Sequence, residues 1–309
     1  MMSGTGKWWS RVLAAFAGVL ACAAIASPAQ AQRARVFVAS YGSDTNPCTF
    51  GSPCKTFQHA HDVVADSGEI TAIDSAGFGP LIITKGVTIT SPAGVEAGIT
   101  ANAGGTAITI DVGSNDAVAL RGLTLIGGNS ASYGIVVNSA SKIEVVDCTV
   151  RDFSQDGIKF VLGPSDHILI SNSKFLNNAV NGINLASSQA YEHVTLDGIV
   201  AEDNNTAGIV IGPQYAVWLT NSSITNNGKG IVMSAGTSTT VHGTLFMANV
   251  TSQNIINDLY LSAYAVAFAS YFNGFYTTDD GNTTDILNSD GNNLMTFGVH
   301  GTKGTWGAN

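Results

Sequence analysis

A Gly-Ile pair returns along this chain at nearly constant spacing: Gly134-Ile135, Gly157-Ile158, Gly182-Ile183, Gly208-Ile209 and Gly230-Ile231, 23, 25, 26 and 22 residues apart. Asn257-Asp258-Leu259 holds the next slot without the glycine. Between the pairs lies a second recurring unit. It is an alternating apolar and polar run that reaches an Asp or Asn and then another apolar position, as in residues 143–150, 168–175, 194–199 and 217–224. Asp147, Asn172, Asp197 and Asn221 stand at its turns.

Self-similarity at this period means stacked units, each too small to bury a face alone. Alternation with a period of two, not 3.6, excludes helical repeats. The Leu-x-x-Leu-x-Leu signature of leucine-rich repeats is absent. The repeat therefore predicts an all-β, single-stranded right-handed parallel β-helix, a solenoid whose short strands stack ~4.8 Å apart. Ile158 and Phe160 face inward around Lys159, and Ile183 and Leu185 around Asn184. Lys159, Asn184, Val210 and Val232 then form one outward column. The glycine is expected to permit a bend of positive φ, and the turn Asp and Asn to hydrogen-bond along the stack.

The ends of the chain read differently. Residues 1–31 form an export signal: Lys7 and Arg11, an apolar run over 12–25, then Ala29-Gln30-Ala31 as the cleavage site. That run of ~14 residues is shorter than the ~20 a membrane span needs. No later run reaches spanning length, so no membrane span is expected in the mature chain. Val19-Leu20-Ala21-Cys22 resembles a lipobox, so a lipoprotein anchored through Cys22 is the alternative to cleavage after Ala31. Cleavage after Ala31 licenses either a periplasmic or an extracellular location. Removing the signal withdraws Lys7 and Arg11 and no acid, taking the net charge from −9 to −11. So acidic a chain is expected to repel nucleic acid, anionic membranes and bare polyuronates, unless a cation bridges them.

Residues 32–66 are expected to hold a first strand, a disulfide loop and a capping helix. Asn46 and Pro47 open, and Gly51, Ser52 and Pro53 close, a short loop between Cys48 and Cys54. Export makes a Cys48–Cys54 disulfide the expected state. Two cysteines without a nearby histidine give no metal site, and His59 and His61, two apart on the helix, do not share a face as i, i+4 ligands would, so none is expected. Cys148, between apolar flanks, reads as a buried thiol. The capping helix falls at 55–65, with Phe57, Ala60, Val63 and Val64 on one side. The β-helix occupies 67–262. Residues 263–309 supply terminal coils and an aromatic cap, for which Tyr260, Tyr264, Phe268, Tyr271, Phe272, Phe275 and Tyr276 are available. A sugar-stacking platform is the other use of those rings.

Residues 36–44 (Val-Phe-Val-Ala-Ser-Tyr-Gly-Ser-Asp) and 53–58 (Pro-Cys-Lys-Thr-Phe-Gln), with Gly77-Phe78-Gly79-Pro80 and residues 83–89, resemble the opening of bacterial β-helix proteins of the pectate lyase-like superfamily. Residues 288–293 are similar to a segment found late in related proteins. The resemblance implies the fold and two chemistries to look for. Polygalacturonase-like members cluster aspartates, with Gly-His-Gly and Arg-Ile-Lys segments beyond. Here Asp279-Asp280 is the one Asp-Asp pair, His300-Gly301 follows Val299, and Arg-Ile-Lys is absent. Pectate lyases hold Ca²⁺ on acidic residues and use Arg or Lys as base. Arg151, Asp152, Asp156 and Lys159 are the catalytic candidates of that kind. Ca²⁺ is implied only for a lyase, and otherwise no cofactor is expected.

Three functions remain. A non-catalytic carbohydrate-associated or surface-interaction module, with polysaccharide as partner, fits best. A divergent polysaccharide lyase or glycoside hydrolase comes second, and a structural envelope protein third.

Overall fold

The computed structural model describes residues 33–161, 167–185, 192–233, 244–255, 257–261, 266–279, 286–289, 294–298 and 302–305. Side chains are described within the first four stretches, at Leu259 and Tyr260, and at Ala267. The chain winds as a parallel β-helix, and each coil visits three parallel sheets in turn. Lys142–Val146 belongs to sheet 1, Thr149–Arg151 to sheet 2 and Ile158–Phe160 to sheet 3. The next coil repeats them in register, Ile143 facing Ile168, Val150 facing Phe175 and Ile158 facing Ile183. The winding is right-handed, the hand that parallel crossovers take. Ladder pairing continues as far as Ile286 against Thr302.

The core is a set of inward columns running along the axis. Ile108, Ile135, Ile158, Ile183, Ile209 and Ile231 form one of them, and each is fully buried. Burial of each such side chain contributes ~1.5–3 kcal/mol. The repeating isoleucine is thus the floor of sheet 3.

The glycines before it do not bend the chain as expected. Gly134, Gly157, Gly182 and Gly208 are not among the residues of positive φ. They are glycine because there is no room for a Cβ. On Gly182 a Cβ would lie 2.7 Å from the carbonyl oxygen of Gly208 and 3.0 Å from the amide of Asn204. Gly157 meets Gly182 and Asn178 at the same two distances.

Positive φ belongs instead to the turns. Between sheets 1 and 2, Gly122, Asp147, Asn172, Gly198, Asn221 and Asn249 form one left-handed column. Asn, Asp and Gly reach that conformation at least cost. Asp197 is not in that column, because its coil spends Gly198 there. It lies one residue earlier, level with Ser171 and Thr220, and accepts from Thr220 Oγ1 (2.6 Å) and Asn221 Nδ2 (2.8 Å). The hydrogen bond along the stack exists, from a neighbouring position.

Strand β1 (Arg33–Val38) and strand β2 (Val64–Ala72) flank helix α1 (Phe57–Val63). The helix is shorter than 55–65. Thr56 caps its start, and Val64 is already extended and opposite Arg33. Its buried residues are Phe57, Ala60 and His61. Phe57 packs on Phe78 at 4.9 Å between ring centroids, closing the first coil. Among the described residues, no helix is long and apolar enough to cross a membrane.

Candidate functional site

Polar groups gather on the outer face of sheet 3. Tyr133, Asp156 and Asn181 each stand two residues before a core isoleucine. Lys159 and Asn184 follow those isoleucines and lie side by side. Asp156 is only 4% exposed. Its Oδ1 accepts from Asn181 N (3.1 Å) and Asn181 Nδ2 (2.8 Å), and its Oδ2 from Asn184 Nδ2 (2.9 Å). The carboxylate of one coil is therefore held by two amides of the next. Each amide gives Asp156 one N–H of its NH₂, and Asn181 Oδ1 and Asn184 Oδ1 are enclosed with no hydrogen-bond partner. An unpaired buried acceptor costs ~1–3 kcal/mol, so these two oxygens retain a strong appetite for a donor.

Lys159 extends over Tyr133, its Nζ 5.3 Å from the ring centroid. Such a contact is worth ~0.5–1 kcal/mol in the open and leaves the ammonium's donors available. The other two sequence candidates sit apart. Arg151 ends a sheet 2 strand and pairs with Asp152 at 2.5 Å. Asp152 occupies the next turn at φ 62° and accepts from Asn177 Nδ2 at 2.7 Å. Asp156 and Lys159 thus share a face, whereas Arg151 and Asp152 share a corner. Among the described residues, no hydrogen bond or ion pair joins the two groups.

The sheet 3 face is long. One outward column runs from Ile82 through Lys159 and Asn184 to Tyr260, over eight successive coils. At ~4.8 Å per coil it spans roughly 34 Å. Its N-terminal end opens into a cleft of about 400 Å³ lined by Gln58, Pro80, Leu81, Ile82, Thr106 and Thr109. At its other end Lys229 Nζ stands 4.0 Å from the Tyr260 ring centroid.

Residues 84–246 match the family model described as the right handed beta helix region. The chain belongs to this family. Among solved structures it is similar to the pectate lyase Pel9A, at 10% identity and a TM-score of 0.62 over 86% of this chain and 76% of that one. It is also similar to the alginate lyase from Paenibacillus sp. str. FPU-7, at 13% identity and 0.61 over 87% and 98%. At these identities the likeness is one of fold, the pectate lyase-like β-helix. No curated protein sequence matches.

Sheet 1 of this β-helix presents a different outer face. His193, Trp218 and Phe246 stack along the axis, with centroids 5.7 and 5.2 Å apart and planes inclined by 27° and 14°. Their faces cover one another, so Trp218, though 39% exposed, turns its edge and not its face to solvent. A pyranose ring has no platform there. Toward the N-terminal side Glu144 pairs with Lys142 (2.6 Å) and with Arg121. The Lys142 hydrogen bond lowers the pKa of Glu144 against its partial burial, with Arg121 adding to it. The pKa of His167, beside Lys142 and His193, is lowered first by burial and then by the Lys142 ammonium.

The remaining sequence candidates divide by position. Cys48 and Cys54 form the disulfide. Cys148 is a buried thiol whose pKa burial pushes up to about 11. Among the expected cap aromatics, Tyr264 lies outside the described residues, as do Asp280, His300 and Gly301. Phe268, Tyr271, Phe272, Phe275 and Tyr276 are described in backbone only, within the strand Val266–Asp279.

Proposed function

We infer that this protein is exported and binds polysaccharide along the outer face of sheet 3 without cleaving it. The observation that carries this is the state of Asp156. Its two oxygens already accept three hydrogen bonds from Asn181 and Asn184, so the carboxylate is engaged in holding the amides of the next coil. No second carboxylate pairs with it among the described residues, whereas glycoside hydrolysis needs two flanking one bond. What the face does offer is recognition: the Lys159 ammonium, the Tyr133 ring and a strip long enough for several sugar units. The disulfide favours an oxidising compartment, in keeping with the leader read in residues 1–31.

A polysaccharide lyase is the second reading, favoured by Asp156 and Lys159 sharing one face. A panel of neutral and uronic polysaccharides, run as affinity gels and as product assays with and without Ca²⁺, separates the two. Retardation by at least one polymer without new chain ends supports binding. Unsaturated ends released from a uronate, and lost in Lys159→Ala, would replace it with the lyase.

A further inference from the structure

The first coil carries a cluster that the sheet 3 site does not use. Cys48 and Cys54 are fully buried, and His59 on the first turn of α1 reaches them. One ligand atom from each of the three lies within 4.8 Å of the others. Two sulfurs and an imidazole suit a thiophilic divalent cation. Zn²⁺ binds such atoms tetrahedrally at ~2.0–2.3 Å, which sets neighbouring ligand atoms roughly 3.5 Å apart. The sulfurs are joined to each other, so an ion gains them only when that bond opens.

The backbone keeps the cysteines in place independently of the S–S bond. Phe37 N donates to Cys48 O (2.9 Å), Cys54 N to Phe37 O (2.9 Å) and Ala39 N to Cys54 O (3.0 Å). Asn46 Nδ2 closes the loop onto Pro53 O at 2.8 Å. His59 is placed by its own amide, which donates to Thr56 Oγ1 at 3.2 Å, while Asp44 accepts from Lys55 N and Thr56 N. Both cysteines stay moored to β1, and the helix start stays moored to the loop.

We propose that Cys48, Cys54 and His59 form a latent Zn²⁺ site, opened when a small-molecule thiol reduces the disulfide. Two reductant thiols become one disulfide, and Cys48 and Cys54 each gain a hydrogen. On binding, each cysteine releases a proton to solvent, and neutral His59 supplies a nitrogen lone pair. Water fills the fourth position.

The test uses the full chain carrying Cys22→Ala and Cys148→Ala, so that no other thiol responds. Reduced with a phosphine and titrated with Co²⁺, it should develop thiolate-to-cobalt charge-transfer and tetrahedral d–d bands, displaced by Zn²⁺. The oxidised protein should show neither. His59→Ala should weaken Co²⁺ binding by at least about tenfold and shift the d–d bands, and Cys54→Ser should cut the charge-transfer intensity by about half or more, one of the two thiolates being lost. Circular dichroism follows the fold in parallel. A reduced, folded protein without these bands overturns the proposal. So does unchanged binding in His59→Ala, or loss of the fold on reduction.

Discussion

Asparagine fills two kinds of place in this β-helix. Asn178, Asn204 and Asn227 are fully buried in the turn from sheet 2 to sheet 3. Each hands its amide to the next coil: Asn178 N and Nδ2 reach Asn204 Oδ1 at 3.1 and 3.0 Å, and Asn204 N and Nδ2 reach Asn227 Oδ1 at 2.9 and 2.8 Å. Asn204 Nδ2 also donates to Phe175 O at 3.0 Å. Asn181 and Asn184 are enclosed too, but they give their donors to Asp156 and keep an oxygen unpaired. Burial does not separate the two sets of polar groups here. The degree of saturation does.

Asn204→Leu attacks the saturated set. It strands the Asn178 N–H and the Phe175 carbonyl in the core, so the loss should be roughly 3–5 kcal/mol, read from urea denaturation. A variant as stable as the parent would erase the distinction drawn above.

Asn184→Ala attacks the unsaturated set, and its main effect should be on ligand. Polysaccharide retention should weaken about tenfold, or ~1.4 kcal/mol. Stability should fall by only about 1 kcal/mol, because the truncation also deletes an unpaired acceptor while Asp156 keeps Asn181. Equal retention in parent and variant would remove Asn184 from the site.

A smaller effect separates the amides, which do not titrate, from a buried histidine that does. Burial lowers the pKa of His61 from 6.5, helped by Lys85 and opposed by Asp62, and its Nε2 accepts from Thr84 N at 3.2 Å. Below 6.5 the unfolded chain takes a proton that folded His61 resists. Stability should therefore fall as pH drops from 6.5 toward the folded value, and carry no slope from this group above 6.5. His61→Gln should flatten that decline below about pH 6.5, leaving the share due to His167. An undiminished slope in the variant would assign the effect elsewhere.

The smallest change is expected at the stacked rings of sheet 1. Trp218→Leu should cost about 1 kcal/mol in urea and leave polysaccharide retention alone. If retention drops with it, sheet 1 joins the binding face and the division between the two faces fails.

Particular residues show how far the pattern could be read. Ile135, Ile158 and Ile183 were identifiable as core because strand alternation assigns faces without knowledge of partners. The outward column of Lys159, Asn184, Val210 and Val232 follows from the same rule. The buried asparagines also left a trace: Asn177-Asn178, Asp203-Asn204 and Asn226-Asn227 each precede the repeat glycine by a few residues. That glycine was misread as a bend because its neighbour in the next coil, not its own φ, forbids a side chain. Asp197 was misplaced by one residue because Gly198 takes the left-handed position just as well. His59 was discounted because it and His61, two apart, do not share a helical face, yet its ring lies within 4.8 Å of both cysteine sulfurs.

The sequence by itself determined the coil, its period and the sign of each position, inward or outward, since those depend only on alternation and on recurrence along one chain. The tertiary structure alone decided which polar groups use each other up. That depends on atoms about 25 residues apart coming within 3 Å across neighbouring coils, as Asp156 and Asn181 do, and linear spacing does not record it.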